Sequence, residues 1–229
     1  MLLILASALD VEAQRLAKHW AADDARVLTS ADLSQPGWRW IPGVTSDNTF
    51  AIAGERLPVQ AIAGVLTRLD TVAVDELAAV HPEDRPYVAA EMHAFLVAWL
   101  AHLTCRVLNR PTPRCLSGPH WSSETWLRLA VRTGSPVASI HRRITPGMAP
   151  EASLPEVAAE VVVVGERTFG ESDASLRASA VRLARGADVH LLAVGFDSAG
   201  RVARAELRPT LDAPELVAAL RDDFSRRAC

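Results

Sequence analysis

Lysine is almost missing from this chain. Of its 24 basic residues, 23 are arginine and one, Lys18, is lysine. A GC-rich coding sequence gives the same bias, but the consequence stands: chemistry that needs an ammonium group has only position 18 to supply it. An arginine brings its charge on a planar fork, not as a compact point donor. Cysteine is scarce too. Cys105, Cys115 and Cys229 form no C-x-x-C pair and no ladder of spacings, which excludes a disulfide framework and leads us to expect reduced thiols in the cytoplasm. No apolar run approaches the roughly 20 residues of a membrane span. The opening MLLILASALD is apolar for about six residues and lacks the basic flank and longer apolar region of a signal peptide. Residues 1–6 therefore read as a buried first strand. Positive charge is not in excess, with a formal net charge of -3, which argues against nucleic acid as a partner. G-x-S-x-G and P-loop patterns, internal repeats and low-complexity tracts do not occur.

What is present is material for a core. The 229 residues are 49% hydrophobic, enough for one large domain or two small ones. Residues 2–6 predict a strand. Asp10 predicts the N-cap of a helix with Val11, Leu16, Ala17 and Trp20 on one face, and residues 26–29 predict a second strand. Strand, helix, strand at this spacing is a βαβ opening, which favours a parallel sheet. Residues 34–48 read as a loop, and 50–52 with 57–59 as a hairpin turning at Gly54-Glu55. Residues 61–66 are a further short strand. The strongest helix begins near Asp84 as cap and Pro86 in its first turn; Val88, Met92, Phe95, Leu96, Trp99, Leu100 and Leu103 give it one broad apolar face. A strand at 106–108, a helix at about 122–132 and a strand at 136–140 follow. Three prolines in 144–156 mark a linker. Beyond it come a β-branched strand at 161–164, a helix at 172–185 capped by Asp173, a hairpin of 190–196 with 201–207, and a helix at 213–224.

Some polar residues invite a functional reading. His93 and His102 lie nine apart on one helix, the wrong spacing for a shared metal, and Cys115 with His120 is too sparse for zinc; no metal site is expected. In the loop 117–123, Ser117, Ser122 and Ser123 stand before a helix. They could bind an anion through backbone N–H groups, or Ser122 or Ser123 could simply cap that helix. Asn109-Arg110-Pro111 has turn chemistry. Trp38 and Trp40, in a loop, suit an interface better than a core.

Three stretches together resemble ATP-grasp ligases, especially the branch of ribosomal-protein-modifying and microviridin-type peptide maturases. Tyr87-Val88-Ala89-Ala90-Glu91 leads to Val107-Leu108-Asn109-Arg110-Pro111, like that branch's helix and its strand ending in N-R-P. Trp126-Leu127-Arg128-Leu129-Ala130 through Gly134-Ser135-Pro136-Val137 is similar to its Q-x-x-x-A-x-x-x-G-x-x-V-P helix. Val194-Gly195-Phe196-Asp197, Gly200 and Ala205-Glu206-Leu207-Arg208-Pro209 resemble its terminal hairpin V-D-F…D-x-x-G…E-V-N-P.

The resemblance implies an α/β fold in which an N-terminal βαβ parallel-sheet lobe, of the pre-ATP-grasp kind, joins a reduced C-terminal α+β lobe. The expected boundaries are 1–115, a helix–strand connector at 116–143, the linker at 144–157 and the last lobe at 158–229. It also marks departures. The family's central lobe, with nucleotide-binding lysines and a glycine-rich loop, has no counterpart after His141. Glu206 matches the family's metal-holding glutamate, but Arg208 replaces the asparagine and carries no acceptor oxygen, so Arg208 could pair with Glu206 instead. Glu206, Arg208 and Arg167 are then a vestigial cofactor site, and Arg68 falls where family members place arginines facing the cleft. The reading that follows is a non-catalytic or accessory protein of a biosynthetic or peptide-modifying pathway. It needs no cofactor, takes a small molecule or peptide, and pairs as a homodimer or with a partner enzyme through surface the missing lobe uncovers. The alternative is a minimal carboxylate–amine ligase that binds ATP and Mg through Arg142, Arg143, Arg167 and Glu206. A different enzyme grown on the old frame, using the 117–123 loop, is the third possibility.

Overall fold

A computed structural model describes residues 1–44, 46–143, 151–153, 155–170 and 172–225, giving the backbone alone at 141–143, 151–153 and 225. The chain packs as two units, residues 1–119 with 211–229, and residues 120–210.

The first unit is built on a four-stranded parallel sheet. Strand β1 (Leu2–Leu5) is followed by helix α1 (Val11–His19), β2 (Arg26–Leu28) and the short α2 (Ser30–Leu33). The hairpin β3 (Thr49–Ile52) and β4 (Glu55–Pro58) stands apart from the sheet, which resumes with β5 (Gly64–Thr67), the long helix α3 (Arg85–His102) and β6 (Arg106–Leu108). The order is β2-β1-β5-β6, with Leu3 beside Arg26 and Val65, and Val65 beside Val107. This is the βαβ lobe expected from sequence. Asp10 caps α1 by accepting from the Ala13 N–H at 2.9 Å.

Several local readings change. Val11 is 80% exposed, and the buried face of α1 is Ala13, Leu16 and the C-cap Trp20. The hairpin turns at Ala53-Gly54, not Gly54-Glu55; both residues have positive φ, 51° and 79°, as a two-residue I′ turn requires. The strand read at 61–66 is Gly64–Thr67, preceded by a 3-10 turn at Val59–Ala61. Asp84 makes no side-chain cap on α3, whereas Pro86 does occupy its first turn. Trp38 and Trp40 are half-buried and pack against the core. Trp38 meets Phe50, Phe95 and Trp99 edge-on, and Trp40 meets Phe95 and His102.

The second unit opens with α4 (Ser123–Arg132). Residues 136–140, expected as a strand, make only a single parallel bridge from Val137 to Val202. Strands β7 (His141–Arg143) and β8 (Glu151–Ser153) pair with each other, so part of the expected linker is a hairpin arm; residues 144–150 and 154 lie outside the described residues. An antiparallel sheet then forms from β9 (Ala159–Val164), β10 (Arg167–Phe169), β11 (Leu191–Phe196) and β12 (Val202–Glu206), in the order β10-β9-β11-β12. Helix α5 (Ala174–Gly186) follows Asp173, whose carboxylate accepts from the N–H groups of Ser175 and Leu176. Val161 and Val163, Leu192 and Val194, Trp126 and Leu129, and Ala180 and Leu183 form one cluster, so α4 and α5 cover the same sheet face.

The last helix, α6 (Pro214–Ser225), returns to the first unit. Phe224 sits against Gly64 and meets Trp20 edge-on at 6.2 Å. Asp223 pairs with Arg106 at 2.5 Å, and Arg221 with Asp23 at 2.6 Å. The sequence boundaries keep 158–229 together; the buried contacts of α6 place residues 211–229 with 1–119 instead.

Candidate functional site

Open parallel sheets bind ligands beyond the carboxyl ends of their strands, where the strand order reverses. Here that point lies between β1 and β5. Ser7 and Asp10 follow β1, and Arg68 and Asp70 follow β5. The Arg68 guanidinium is 10% exposed and is held from both sides: Nε donates to Asp10 at 2.8 Å, and Nη2 to Glu12 in the first turn of α1. Burial alone would raise the Asp10 pKa. The Arg68 contact and the Ala13 and Glu12 N–H groups outweigh it and leave the carboxyl below its ordinary value. Glu12 also accepts from the Leu211 N–H, and Arg15 donates to the Leu211 carbonyl at 2.6 Å, tying the approach to α6 into the same corner.

The loop after β6 folds onto this edge. Asn109 takes a left-handed φ of 55° at the strand end, fitting its turn role. Ser117 is buried and donates to Asp70 at 2.5 Å. The Cys115 thiol lies 3.3 Å from the Ser117 oxygen and 3.5 Å from Asp70, and the Leu116 N–H donates to the Asp70 carbonyl at 2.9 Å. Burial pushes the Cys115 thiol up, leaving it a neutral donor. Ser7 donates to Glu76 across the same edge. Along this edge Asp10 and Glu12 hold the Arg68 guanidinium, Arg15 also reaches Glu12 at 3.5 Å, and Asp70 and Glu76 accept from Ser117 and Ser7. Sequence reasoning singles out Arg68 and Ser117 here but misses their carboxylate partners, which lie 47 to 58 positions away.

In the second unit, Ser122 caps α4, its oxygen 3.4 Å from the Thr125 N–H; Ser123 opens the helix, and Trp121 packs on Trp126. Glu206 ends β12 with its side chain half exposed. Arg204, two residues earlier on the same strand, pairs with it at 3.4 Å; Arg204 also reaches Glu160 at 3.2 Å. Arg208 lies just beyond, exposed, and Arg167 opens β10 at the far edge of the sheet, so the structure brings Glu206 together with Arg204. Asp197 braces its own turn. It accepts from the Ala199 and Arg201 N–H groups at 3.0 and 2.9 Å and pairs with the Arg201 side chain. The Arg201 N–H first, then its guanidinium, hold the Asp197 carboxyl below the ordinary range. The side chains of Arg142 and Arg143 lie outside the described residues. Among the described residues, no group of three His, Cys, Asp or Glu side chains could hold a metal ion.

Among the described residues, Glu206 faces the Arg204 guanidinium, Arg208 just past the strand offers no acceptor oxygen, and Lys18 is exposed on α1.

No protein-family model matches the chain, and no curated protein does. Solved structures do. The macrocyclase MdnC, bound with precursor peptide MdnA, from Microcystis aeruginosa MRC superposes with a TM-score of 0.70 at 12% identity, over 95% of this chain and 97% of that one. The ATP-grasp ligase PsnB, complexed with a minimal precursor, Mg and ADP, gives 0.69 at 12% identity over 98% of each chain. A RiPP-associated ATP-grasp ligase from Chryseobacterium gregarium, in complex with ADP and a leader and core peptide, gives 0.62 at 10% identity over 98% and 94%. The fold of this chain is the ATP-grasp fold.

Proposed function

We propose that this protein is an accessory member of a peptide-modifying pathway, which uses an ATP-grasp frame to engage a peptide or a partner enzyme and does not itself drive ligation with a nucleotide. One observation carries the reading: the glutamate that matches the family's metal ligand, Glu206, is paired with Arg204. A fixed cation beside the carboxylate competes with a divalent ion for the same oxygens. The near absence of lysine works in the same direction. The peptide half of the proposal draws on the neighbours, several of which are described with precursor peptides. A homodimer or a complex with a full ligase, in the cytoplasm, is the setting this reading expects. Among the described residues no helix is long and apolar enough to cross a membrane.

The alternative, a minimal ATP-dependent carboxylate–amine ligase, is favoured by the neighbours described with Mg and ADP. Isothermal titration separates the two. The accessory reading expects no magnesium-dependent ATP binding at micromolar protein. Tight binding that disappears in Glu206→Gln overturns it and establishes the alternative. Pull-down of a clean monomer at the same concentration counts against partnership.

A further inference from the structure

The first unit is closed by a helix that the chain supplies last. Residues 120–210 form the second unit, and the chain re-enters the first only at residue 211. The seat that receives α6 is built from side chains of residues 1–119. Phe224 fills the notch at Gly64 and meets Trp20 edge-on. Asp223 pairs with Arg106, whose side chain is 9% exposed, and Arg221 pairs with Asp23. Ahead of the helix, the Leu211 N–H donates to Glu12 and the Leu211 carbonyl accepts from Arg15. Leu211, Leu216, Val217, Leu220 and Phe224 are all buried.

Two features of this contact point beyond a single chain. Its charges are matched in order, with Arg221 and Asp223 on the helix against Asp23 and Arg106 on the seat. None of these contacts involves residues 207–210, the strap between β12 and the seated segment. The strap is short, Pro209 fixes its own φ at about −65°, and Arg208 before it is biased to extended backbone. Short, stiff hinges of this kind favour the handing of a terminal element to a neighbour. The seat stays open until an α6 reaches it, and the α6 of a second copy carries the same residues. We propose that α6 exchanges between copies: the seat of one first unit binds α6 of a second copy, and the reciprocal contact closes a two-fold dimer. Each helix then makes the contacts seen within one chain, so concentration and the strap set the balance between closed monomer and exchanged dimer. An unrelated helix is disfavoured, because one without the order Arg221-Asp222-Asp223-Phe224 leaves Asp23 and Arg106 mismatched. The proposal gives the homodimer of the preceding reading a route through named residues, and it does not rest on the nucleotide half of that reading.

The test reverses the charges in the full chain. One variant reverses the seat, Asp23→Arg with Arg106→Asp, and a second reverses the helix, Arg221→Asp with Asp223→Arg. Alone, each sets like charges together whether α6 sits in its own chain or in a copy. Refolded as a mixture, the two match both seats only by exchange. Size-exclusion chromatography with light scattering should then show a mixed dimer at least about tenfold more abundant than the dimer of either variant alone. The chain carrying all four substitutions restores the match internally, and its circular dichroism and urea midpoint should be native-like. The native chain gives a second reading. Refolded at about tenfold higher concentration, its dimer-to-monomer ratio should rise about tenfold, and the isolated dimer should revert slowly on dilution, because α6 must unseat first. The proposal is overturned if the mixture forms no more dimer than each variant alone while the four-substitution chain is folded. If that chain does not fold, the native series decides: a chain that stays monomeric at every concentration, or a dimer that dissociates within seconds of dilution, overturns the proposal. Titration with ATP and magnesium reads Glu206 and not α6, so a failure here is distinct from a failure of the proposed function.

Discussion

Replacing Phe224 by alanine tests whether the last helix completes the first unit. The ring is 2% exposed, meets Trp20 edge-on at 6.2 Å, and lies so close to Gly64 that a Cβ there would overlap its Cδ1. Truncating a buried phenylalanine costs about 3–5 kcal/mol. With a urea slope of about 2 kcal/mol/M, the unfolding midpoint should fall by about 2 M. Gly64→Ala in the native background forces the ring aside and should cost about 1–3 kcal/mol. In the Phe224→Ala background the added methyl enters vacated space, so Gly64→Ala should cost less than about 0.5 kcal/mol, a coupling well above the error of additivity. Urea titration followed by tryptophan fluorescence, with Trp20 as the local reporter, measures all four corners of the cycle. The reasoning is refuted if Gly64→Ala costs the same in both backgrounds, or if Phe224→Ala costs less than about 1 kcal/mol.

Other expectations are more local. Arg68→Met leaves Asp10 and Glu12 facing each other without their cation and should destabilise the first unit by about 3 kcal/mol; chemical denaturation checks it, and Asp10→Asn in the same chain should recover part of the loss. The Asp10 pKa is depressed in the folded state, so its contribution is present above the unfolded carboxylate value and is lost as pH falls through the folded one. Urea midpoints between about pH 6 and pH 3 should therefore decline less steeply in Asp10→Asn. With its thiol pushed up to about 11, Cys105 should react slowly with iodoacetamide at about pH 8 and speed up only as pH approaches that value, read by peptide mass mapping. Asp197→Ala removes the side-chain bonds that brace the β11–β12 turn and should raise amide exchange at Arg201 and Val202 while leaving β1 protected.

The patterns that survive folding are those carried by neighbours in sequence. The caps at Asp10 and Asp173 and the βαβ opening depend on residues a few positions apart, and the structure keeps them. The errors come from distance. Trp38 and Trp40 sit in a segment rich in glycine and proline that reads as surface, yet Phe95 and Trp99, some 55 to 60 positions later, fold over them. Arg68 reads as an available cation because its two carboxylates come from the far side of the crossover. Glu206 reads with Arg208, two residues along; the side chain two residues in the other direction on the same face, Arg204, pairs with it at 3.4 Å. Nothing local announces that α6 leaves the second unit, since its apolar residues would suit either core.

The seat of Phe224 also has a cost in time. About 160 residues separate it from Gly64, and at about 5–20 residues per second a ribosome needs roughly 8–30 s to make them. For that interval the nascent first lobe exposes an apolar notch beside Trp20 that its own chain cannot yet close. Chaperone dependence during synthesis, and sensitivity to premature stop codons in the last dozen positions, follow from that delay.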